Sequence, residues 1–300
     1  MPSQEFTAVL ALLEASPPLS PDAGVATMRE SMEAMTAAMV SPEGMKAEPI
    51  DAGGVPAEWI SFADSDTSRA LLYLHGGGYA LGSIATHRGL AGRLARDLGC
   101  RVLILDYRLA PEHPHPAAVE DALAACRFLR ESGIAPEKTA IAGDSAGGGL
   151  TIAALIALRD AGEPLPAAAV GLSAWLDLAG TGPSNTEKAE ADPIVTMESL
   201  LRMAAWYLGD RAAPEVPTAS PLHADPSGLP PLLLQVGEAE VLLDDSTRFT
   251  TKAEQAGVAV ELQVWPDMVH VWHAFGDEVP ESRDAVAGIA AFLGKHLAND

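Results

Sequence analysis

Short apolar runs alternate with helical stretches along most of this chain, and this alternation limits the folds that are open to it. We predict buried strands at six runs, residues 70–74, 102–105, 139–142, 169–172, 232–236 and 260–264. Amphipathic segments lie between them, around residues 88–98, 117–131, 148–159 and 245–255, and a final helix is expected around 282–297. This order predicts a mostly parallel, doubly wound α/β sheet, with antiparallel edge strands added near 47–51 and 57–62.

Two regions do not follow the alternation. Residues 4–45 are predicted to be helical with a break at the prolines, and one helix face carries Met28, Met32, Met35 and Met39. Residues 180–225 begin rich in glycine, proline and serine, continue with a helix around 197–208 and end in a proline-rich stretch. We predict that residues 1–45 and 180–225 form a split helical cap over the strand ends, where open α/β sheets bind ligands. The catalytic domain would then comprise residues 46–179 and 226–300.

The chain of 300 residues carries 41 acidic and 19 basic residues, a net charge of −22. Such a surface repels phosphate backbones and anionic headgroups, so we expect neither nucleic acid nor a membrane among the partners. The two cysteines, Cys100 and Cys126, are too few for a disulfide framework or a zinc site, and we expect buried thiols in a reducing compartment. The N-terminus lacks the positive charge of an export signal, which favours the cytoplasm.

The residues Gly143-Asp144-Ser145-Ala146-Gly147 match the G-x-S-x-G pattern of a nucleophile elbow. The pattern alone is weak, but here it follows one predicted strand and begins a predicted helix. A serine at such a junction is exposed on a strained turn, and glycine at both outer positions relieves crowding of the neighbouring backbone. We therefore predict Ser145 as a catalytic nucleophile; the alternative is a plain glycine-rich turn.

A second glycine-rich loop, His75-Gly76-Gly77-Gly78, directly follows the first predicted strand of the six. Consecutive glycines leave backbone N–H groups free to stabilise a developing oxyanion. In an α/β-hydrolase this loop lies beside the elbow, so we predict an oxyanion hole formed by the N–H groups of Gly76, Gly77 and Ala146. A simple turn and a phosphate cradle are the alternatives, but the loop lacks the Lys-Ser/Thr pair of a P-loop. We expect His75 to orient the loop.

A serine nucleophile needs an acid and a histidine, and in this fold they follow the serine in that order. His270 is favoured because it lies in the loop after the last predicted strand, whereas His273 and His296 are expected in helices. The acid should follow strand 232–236, and the candidates there are Glu238, Glu240, Asp244 and Asp245. The two aspartates precede a helical pattern and are better explained as N-cap residues.

Several motifs together resemble the hormone-sensitive-lipase-like family of bacterial carboxylesterases, the α/β-hydrolases with a GDSAG elbow. The matching stretches are HGGGY at 75–79, DYRLAPE at 106–112, HPAAVEDA at 115–122, GDSAG at 143–147, GEAEVLLDD at 237–245 and DMVH at 267–270. The resemblance implies hydrolysis of acyl esters, commonly short-chain ones, by a Ser–His–acid triad. The family usually has an aspartate three residues after a glycine, and at that spacing from Gly237 this sequence has Glu240, which we predict as the acid.

The prediction is therefore a cytoplasmic serine carboxylesterase in which Ser145, Glu240 and His270 form the triad and an acyl-enzyme is the intermediate. The residues expected either to line an acyl pocket or to pack the cap onto the body are Met203, Trp206 and Tyr207. The sequence has no cluster of metal ligands, so we expect no metal or other cofactor, and the partners are a small ester and, as the resemblance implies, a second copy of the chain. The alternatives are an amide, lactone or carbamate hydrolase with the same triad, and a ligand receptor on this fold.

Overall fold

The structure is a computed structural model that describes residues 1–15, 23–37 and 40–297. Its centre is one eight-stranded sheet with the order β1-β2-β4-β3-β5-β6-β7-β8. The strands are β1 (Lys46–Asp51), β2 (Pro56–Ser61), β3 (Asp66–Leu74), β4 (Cys100–Leu105), β5 (Thr139–Asp144), β6 (Ala168–Leu172), β7 (Leu232–Gly237) and β8 (Val260–Trp265). β1 and β2 are antiparallel to their neighbours and all other pairs are parallel, which confirms the predicted sheet and its antiparallel edge strands.

Helices cover both faces of the sheet. They are α1 (Gln4–Ala15), α2 (Val25–Thr36), α3 (Ile84–Leu98), α4 (Ala117–Glu131), α5 (Ala146–Asp160), α6 (Ser184–Glu187), α7 (Met197–Leu208), α8 (Leu243–Gln255) and α9 (Pro280–His296). Side chains alternate along β3, so that Leu72 and Leu74 pack with α4, α5 and α8, whereas Leu71 and Tyr73 pack with α3 and α9. The two core layers confirm the doubly wound architecture. Among the described helices, none is both long and apolar enough to cross a bilayer.

The burial of the last strand differs from the prediction. β8 lies where the run 260–264 predicts a strand. It is the last strand of the sheet and therefore pairs only with β7. Its residues are all half-buried or exposed, and Val264 is 42% exposed. The expectation that this strand is buried on both faces was therefore wrong.

The two N-terminal helices rest on different parts of the molecule. Phe6 of α1 packs into a cluster with Met268, Val269 and Trp272, which follow β8. Helix α2 is held instead by Arg29, whose Nε donates to the Ala80 carbonyl at 2.8 Å. Helix α1 therefore packs against the loop that carries His270, whereas α2 is fastened beside the loop at 75–79.

The predicted cap segments contact each other between α2 and α7. The Arg202 guanidinium of α7 contacts Met28 Sδ of α2 at 3.4 Å. The predicted face of four methionines extends to Met39, which lies outside the described residues, as do Pro17, Pro18 and Pro21. The division into a cap of residues 1–45 and 180–225 and a catalytic domain stays a prediction.

Candidate active site

Ser145 lies on a strained turn between β5 and α5. Its φ and ψ are 52° and −120°, a conformation that non-glycine residues rarely adopt outside functional turns. A Cβ added to Gly143 would collide with the Gly147 carbonyl, and one added to Gly147 would collide with the Leu74 carbonyl. Both outer glycines are therefore required by close backbone packing, and the strand–turn–helix elbow predicted from the sequence is confirmed.

The Gly76 backbone N–H is already used within the fold. It donates to Asp144 Oδ1 at 3.1 Å, which corrects the expectation that Gly76 stabilises an oxyanion. The next two glycines adopt positive φ angles, 116° at Gly77 and 63° at Gly78. Within the described part of the chain, the N–H groups of Gly77, Gly78 and Ala146 donate no hydrogen bond. These three donors, and not that of Gly76, are free to act on a ligand.

Asp144 fastens the elbow to the glycine-rich loop at 75–78. Besides the Gly76 N–H, it accepts the Tyr73 hydroxyl at 2.6 Å and contacts His87 Nε2 at 3.3 Å. Burial alone would raise the pKa of Asp144, but the charge and hydrogen bond of His87 and the Tyr73 hydroxyl lower it to about 2. The pKa of His87 is raised, since the Asp144 charge outweighs the effect of burial. The two side chains form a buried ion pair that braces the elbow.

His75 orients the loop that it begins. Its ring stacks on Tyr107 with the centroids 4.3 Å apart, and its Nδ1 is 2.8 Å from the Gly76 carbonyl oxygen. Burial, assisted by the charge of His87, lowers the pKa of His75 to about 3. The ring is therefore neutral at neutral pH and holds the loop by a hydrogen bond, as predicted.

Glu240 is the carboxylate that meets His270. Its Oε2 is 2.9 Å from His270 Nδ1, and its side chain is fully buried. Burial lowers the pKa of His270, but the hydrogen bond and the charge of Glu240 raise it above its ordinary value. Within the described residues this is the one hydrogen bond that the His270 ring makes, so its Nε2 is free to accept a proton. In free enzymes the nucleophile–base bond is often long and tightens with substrate.

The other predicted acids have different partners. Helix α8 begins at Leu243 without a side-chain cap, so the N-cap role expected of Asp244 and Asp245 is wrong. Asp244 Oδ2 accepts the Ser184 N–H at 2.7 Å, and Asp245 Oδ2 accepts the N–H groups of Leu176 and Asp177, both at 2.7 Å. The two carboxylates hold the chain that follows β6, because a backbone donor from another segment is available to each.

The other downstream histidines are not placed for catalysis. His273 is fully buried, its Nε2 is 2.9 Å from Gln235 Oε1, and burial lowers its pKa to about 3. His296 lies at the end of α9 with its ring against Phe292. His270 is therefore the downstream histidine that the structure joins to an acid.

Ser173 is a site residue that the sequence did not reveal. It directly follows β6 with a φ of 47°, and its hydroxyl donates to Glu240 Oε1 at 2.8 Å. The Ser173 hydroxyl oxygen also accepts the N–H of Val271, the residue after His270, at 3.1 Å. No motif marks Ser173; its position at the carboxyl end of a buried strand was the available signal.

The three predicted pocket residues of α7 have different surroundings. The Met203 sulfur lies where a Cβ on Gly78 would be, so this side chain covers the second glycine-rich loop. Tyr207 is fully buried and stacks on Tyr79 with the ring centroids 3.9 Å apart, which favours a packing role. Trp206 is half-buried beneath the Arg202 guanidinium. Of the three, Met203 is the one placed against the candidate oxyanion donors.

Comparisons with known proteins agree with this geometry. A family model described as alpha/beta hydrolase fold matches residues 71–274. An acetyl-hydrolase from Streptomyces hygroscopicus is 50% identical over 244 residues, 81% of this chain and 81% of that protein. An esterase from Acinetobacter venetianus is 38% identical over 244 residues, 81% of this chain and 80% of that protein. The crystal structure of an esterase from the bacterial hormone-sensitive lipase family has a TM-score of 0.94 at 48% identity, covering 99% of this chain and 100% of that one.

The match to the family model extends over the whole candidate site. It includes the loop at 75–78, the elbow at 143–147, Glu240 and His270. The relatives named as an acetyl-hydrolase and as esterases each align with four fifths or more of the chain. The chain therefore belongs to the bacterial hormone-sensitive-lipase-like family of α/β-hydrolases and is a carboxylic ester hydrolase.

Proposed function

We propose that this esterase hydrolyses short-chain acyl esters, acetyl esters foremost, through a covalent acyl-enzyme on Ser145. The observation that carries the proposal is the 2.9 Å contact between Glu240 and His270 in a protein whose elbow presents Ser145 on a strained turn. The ligand receptor considered above is not a candidate, because the chain is an ester hydrolase.

The first half of the reaction forms the acyl-enzyme. His270 Nε2 removes the proton of the Ser145 hydroxyl as the oxygen attacks the ester carbonyl carbon. The carbonyl electron pair moves to oxygen, and the free N–H groups of Gly77, Gly78 and Ala146 stabilise the resulting oxyanion. When the tetrahedral intermediate collapses, the imidazolium gives its proton to the leaving alkoxide and an alcohol departs.

The second half returns the enzyme to its starting state. His270 takes a proton from water, the hydroxide attacks the acyl carbon, and the same three N–H groups bind the second oxyanion. Collapse releases the carboxylic acid as Ser145 recovers its proton from His270. Glu240 keeps Nδ1 protonated throughout, so that Nε2 is the nitrogen that exchanges protons with serine, alcohol and water.

The size of the acyl group follows from Met203. Because its sulfur covers Gly78, a group bound at the three donors has little room on that side. We therefore infer a preference for short acyl chains, of about two to six carbons. The acetyl-hydrolase name of the Streptomyces relative supports the lower end of this range.

Covalent labelling and a chain-length series test the proposal together. A serine-directed phosphonate should label the wild-type protein and not Ser145→Ala, and the variant should lose several orders of magnitude in kcat while remaining folded. Labelling of Ser145→Ala would contradict the elbow assignment. Rates on p-nitrophenyl esters should decline beyond about six acyl carbons, and rates that rise toward long-chain triglycerides would contradict the short-chain preference.

The same residues would also cleave an acetyl amide, and the word acetyl-hydrolase in the name of that relative covers both bonds. An acetyl ester and an acetyl amide of one aromatic leaving group distinguish the two. We expect the ester to be the faster substrate, because an alkoxide leaves more readily than an amide anion. A faster amide would identify the protein as a deacetylase of amines instead.

The predicted homodimer and the cytoplasmic location stay predictions. The exposed edge of β8 supports self-association, since an unpaired strand can pair with a second copy. The buried free thiols of Cys100 and Cys126 are compatible with a reducing compartment. Light scattering of the purified chain tests the dimer; a monomer mass at working concentration would contradict it.

A further inference from the structure

Asp192 is a buried carboxylate in a solvent-facing stretch of chain between α6 and α7. Asp192 is 4% exposed, whereas all the remaining side chains from residue 186 to residue 199 are exposed or half-buried. Removing a carboxylate from water costs free energy unless the charge is paired or hydrogen-bonded, so fully buried aspartates are rare. The position of Asp192 therefore depends on its partners.

Backbone N–H groups from two parts of the chain occupy both carboxylate oxygens. Asp192 Oδ1 accepts the N–H groups of Ile194 and Val195 at 3.0 and 3.1 Å, which forms a turn before α7. Oδ2 accepts the N–H of Val241 at 3.0 Å, a residue 49 positions away. Val241 directly follows Glu240. One carboxylate thus joins the segment before α7 to the backbone that carries the proposed catalytic acid.

The same stretch of backbone is held a second time by Ser184. The Ser184 hydroxyl donates to the Val241 carbonyl at 2.7 Å and accepts the Asp244 N–H at 3.1 Å. Asp244 in turn accepts the Ser184 N–H. Residues 241–244 are therefore fixed by the segment at 184–192, while the Gly237 N–H and the Ser173 hydroxyl hold the Glu240 carboxylate itself.

Asp192 also contributes charge to the site. In the described part of the chain no lysine, arginine or histidine forms an ion pair with it, and its partners are the three N–H groups. Burial lowers the pKa of His270, but Glu240 and then the charges of Asp192 and Asp144 raise it. The fourth titratable group near His270 is His273, which burial keeps neutral with a pKa of about 3. The Asp192 carboxylate, bound next to Glu240 through the Val241 N–H, therefore adds to the negative charge that stabilises the imidazolium formed during catalysis.

We propose that Asp192 is a positioning residue for ester hydrolysis: it fixes the backbone beside Glu240 so that the carboxylate stays on His270, and its charge helps to stabilise the imidazolium. The inference rests on the proposed triad of Ser145, His270 and Glu240. A carboxylate that is already held by three N–H groups needs no reorganisation when the imidazolium forms, which is the condition under which a fixed charge accelerates a reaction. The segment before α7 then contributes to catalysis by holding the Glu240–His270 pair in place.

Two variants separate position from charge. Asp192→Asn removes the charge and keeps the shape of the side chain, whereas Asp192→Glu keeps the charge and displaces the carboxylate by one methylene. Glu190→Gln is the matched control, because Glu190 is exposed on the same segment and loses the same charge. Hydrolysis of p-nitrophenyl acetate is measured across pH and expressed per serine labelled by phosphonate, so that folded enzyme alone is counted.

Asp192→Asn should lower kcat on the order of tenfold with little change in KM, as expected when the reacting groups are misplaced and substrate binding is unchanged. The acid limb of kcat/KM should move to lower pH, because loss of a negative charge makes the imidazolium less stable. Asp192→Glu should lower kcat and keep the wild-type acid limb, and Glu190→Gln should change neither.

Wild-type kcat in both Asp192 variants would overturn the inference, provided that Ser145→Ala is inactive. An acid limb that does not move in Asp192→Asn would overturn the role of its charge. Activity retained by Ser145→Ala would instead overturn the triad itself, so the two failures are distinguishable.

Discussion

The hydroxyl of Ser173 and the carboxylate of Glu240 are joined by a hydrogen bond of 2.8 Å, made on the oxygen that His270 does not use. The hydroxyl also accepts the N–H of Val271, so one side chain connects the segment of the acid with the segment of the base. Ser173 does so with a φ of 47°, a conformation that costs a non-glycine residue about 1–3 kcal/mol. This strained backbone conformation places the Ser173 hydroxyl within hydrogen-bond distance of Glu240.

Ser173→Ala should lower kcat on the order of tenfold with KM nearly unchanged, because the Glu240 carboxylate loses a donor that fixes its rotation. Ser173→Gly is the control, since it removes the same hydroxyl and also relieves the positive φ. We expect Ser173→Gly to lose as much kcat as Ser173→Ala but to melt at a higher temperature than Ser173→Ala does. Recovery of kcat in the glycine variant would show that the strain, and not the hydroxyl, matters.

Glu240→Gln should keep the fold and cost on the order of 10²–10⁴ in kcat, because an amide neither stabilises the imidazolium nor enforces its tautomer. Asp244→Asn is the comparison four residues away. Its amide oxygen can still accept the Ser184 N–H, so kcat should stay close to that of the wild type. Steady-state kinetics on p-nitrophenyl acetate measure both. A nearly inactive Asp244→Asn beside an active Glu240→Gln would reverse the assignment of the acid.

Met203→Ala should shift the preference toward longer acyl groups, because it removes the side chain that covers Gly78. The ratio of kcat/KM for hexanoate over acetate should rise on the order of tenfold, as roughly two methylenes of new contact would give. Leu201→Ala is a control on the same helix, with a side chain that is 49% exposed. An unchanged ratio in Met203→Ala, or an equal rise in Leu201→Ala, would exclude Met203 as the wall of the acyl pocket.

The elements of the fold could be predicted because their signals are local. The run at 139–142, followed by two glycines around a serine, has few solutions other than a buried strand, a tight turn and a helix. The structure extends those predictions by two residues at most, with β5 at Thr139–Asp144 and α5 at Ala146–Asp160. Glu240 was predicted on a different ground, because its spacing from Gly237 is the one that the family resemblance implies for the acid, and the structure places its carboxylate on His270.

Roles that depend on which groups meet across the fold could not be predicted. Gly76 and Gly77 are equivalent in sequence, but the N–H of Gly76 is taken by Asp144, 68 residues later in the chain. Asp245 fits a local capping pattern, yet two N–H groups from the segment after β6 bind its carboxylate instead. Ser173 belongs to no motif, since its role arises only where β6 ends beside β7.

Asp245 should make the free energy of unfolding fall as the pH rises, the opposite of what a paired surface aspartate does. Its side chain is fully buried, and its Oδ1 has no hydrogen-bond partner among the described residues. Burial raises its pKa from 3.8 to about 8, despite the two backbone N–H groups on Oδ2. Between these values the folded chain binds the proton and the unfolded chain does not. The stabilisation is therefore complete below about pH 3.8 and is lost as the pH rises toward 8.

Asp245→Asn should remove this dependence, because the amide does not titrate and its oxygen can still accept the two N–H groups. The variant should gain stability relative to the wild type between about pH 5 and about pH 8, by at most about 4 kcal/mol, because one proton bound only in the folded state contributes about 1.4 kcal/mol per pH unit. Asp210→Asn, an exposed position, loses the same charge and serves as the control. Thermal unfolding at the two pH values measures the difference. A gap between Asp245→Asn and the wild type that is the same at both pH values would show that Asp245 is ionised in the folded protein.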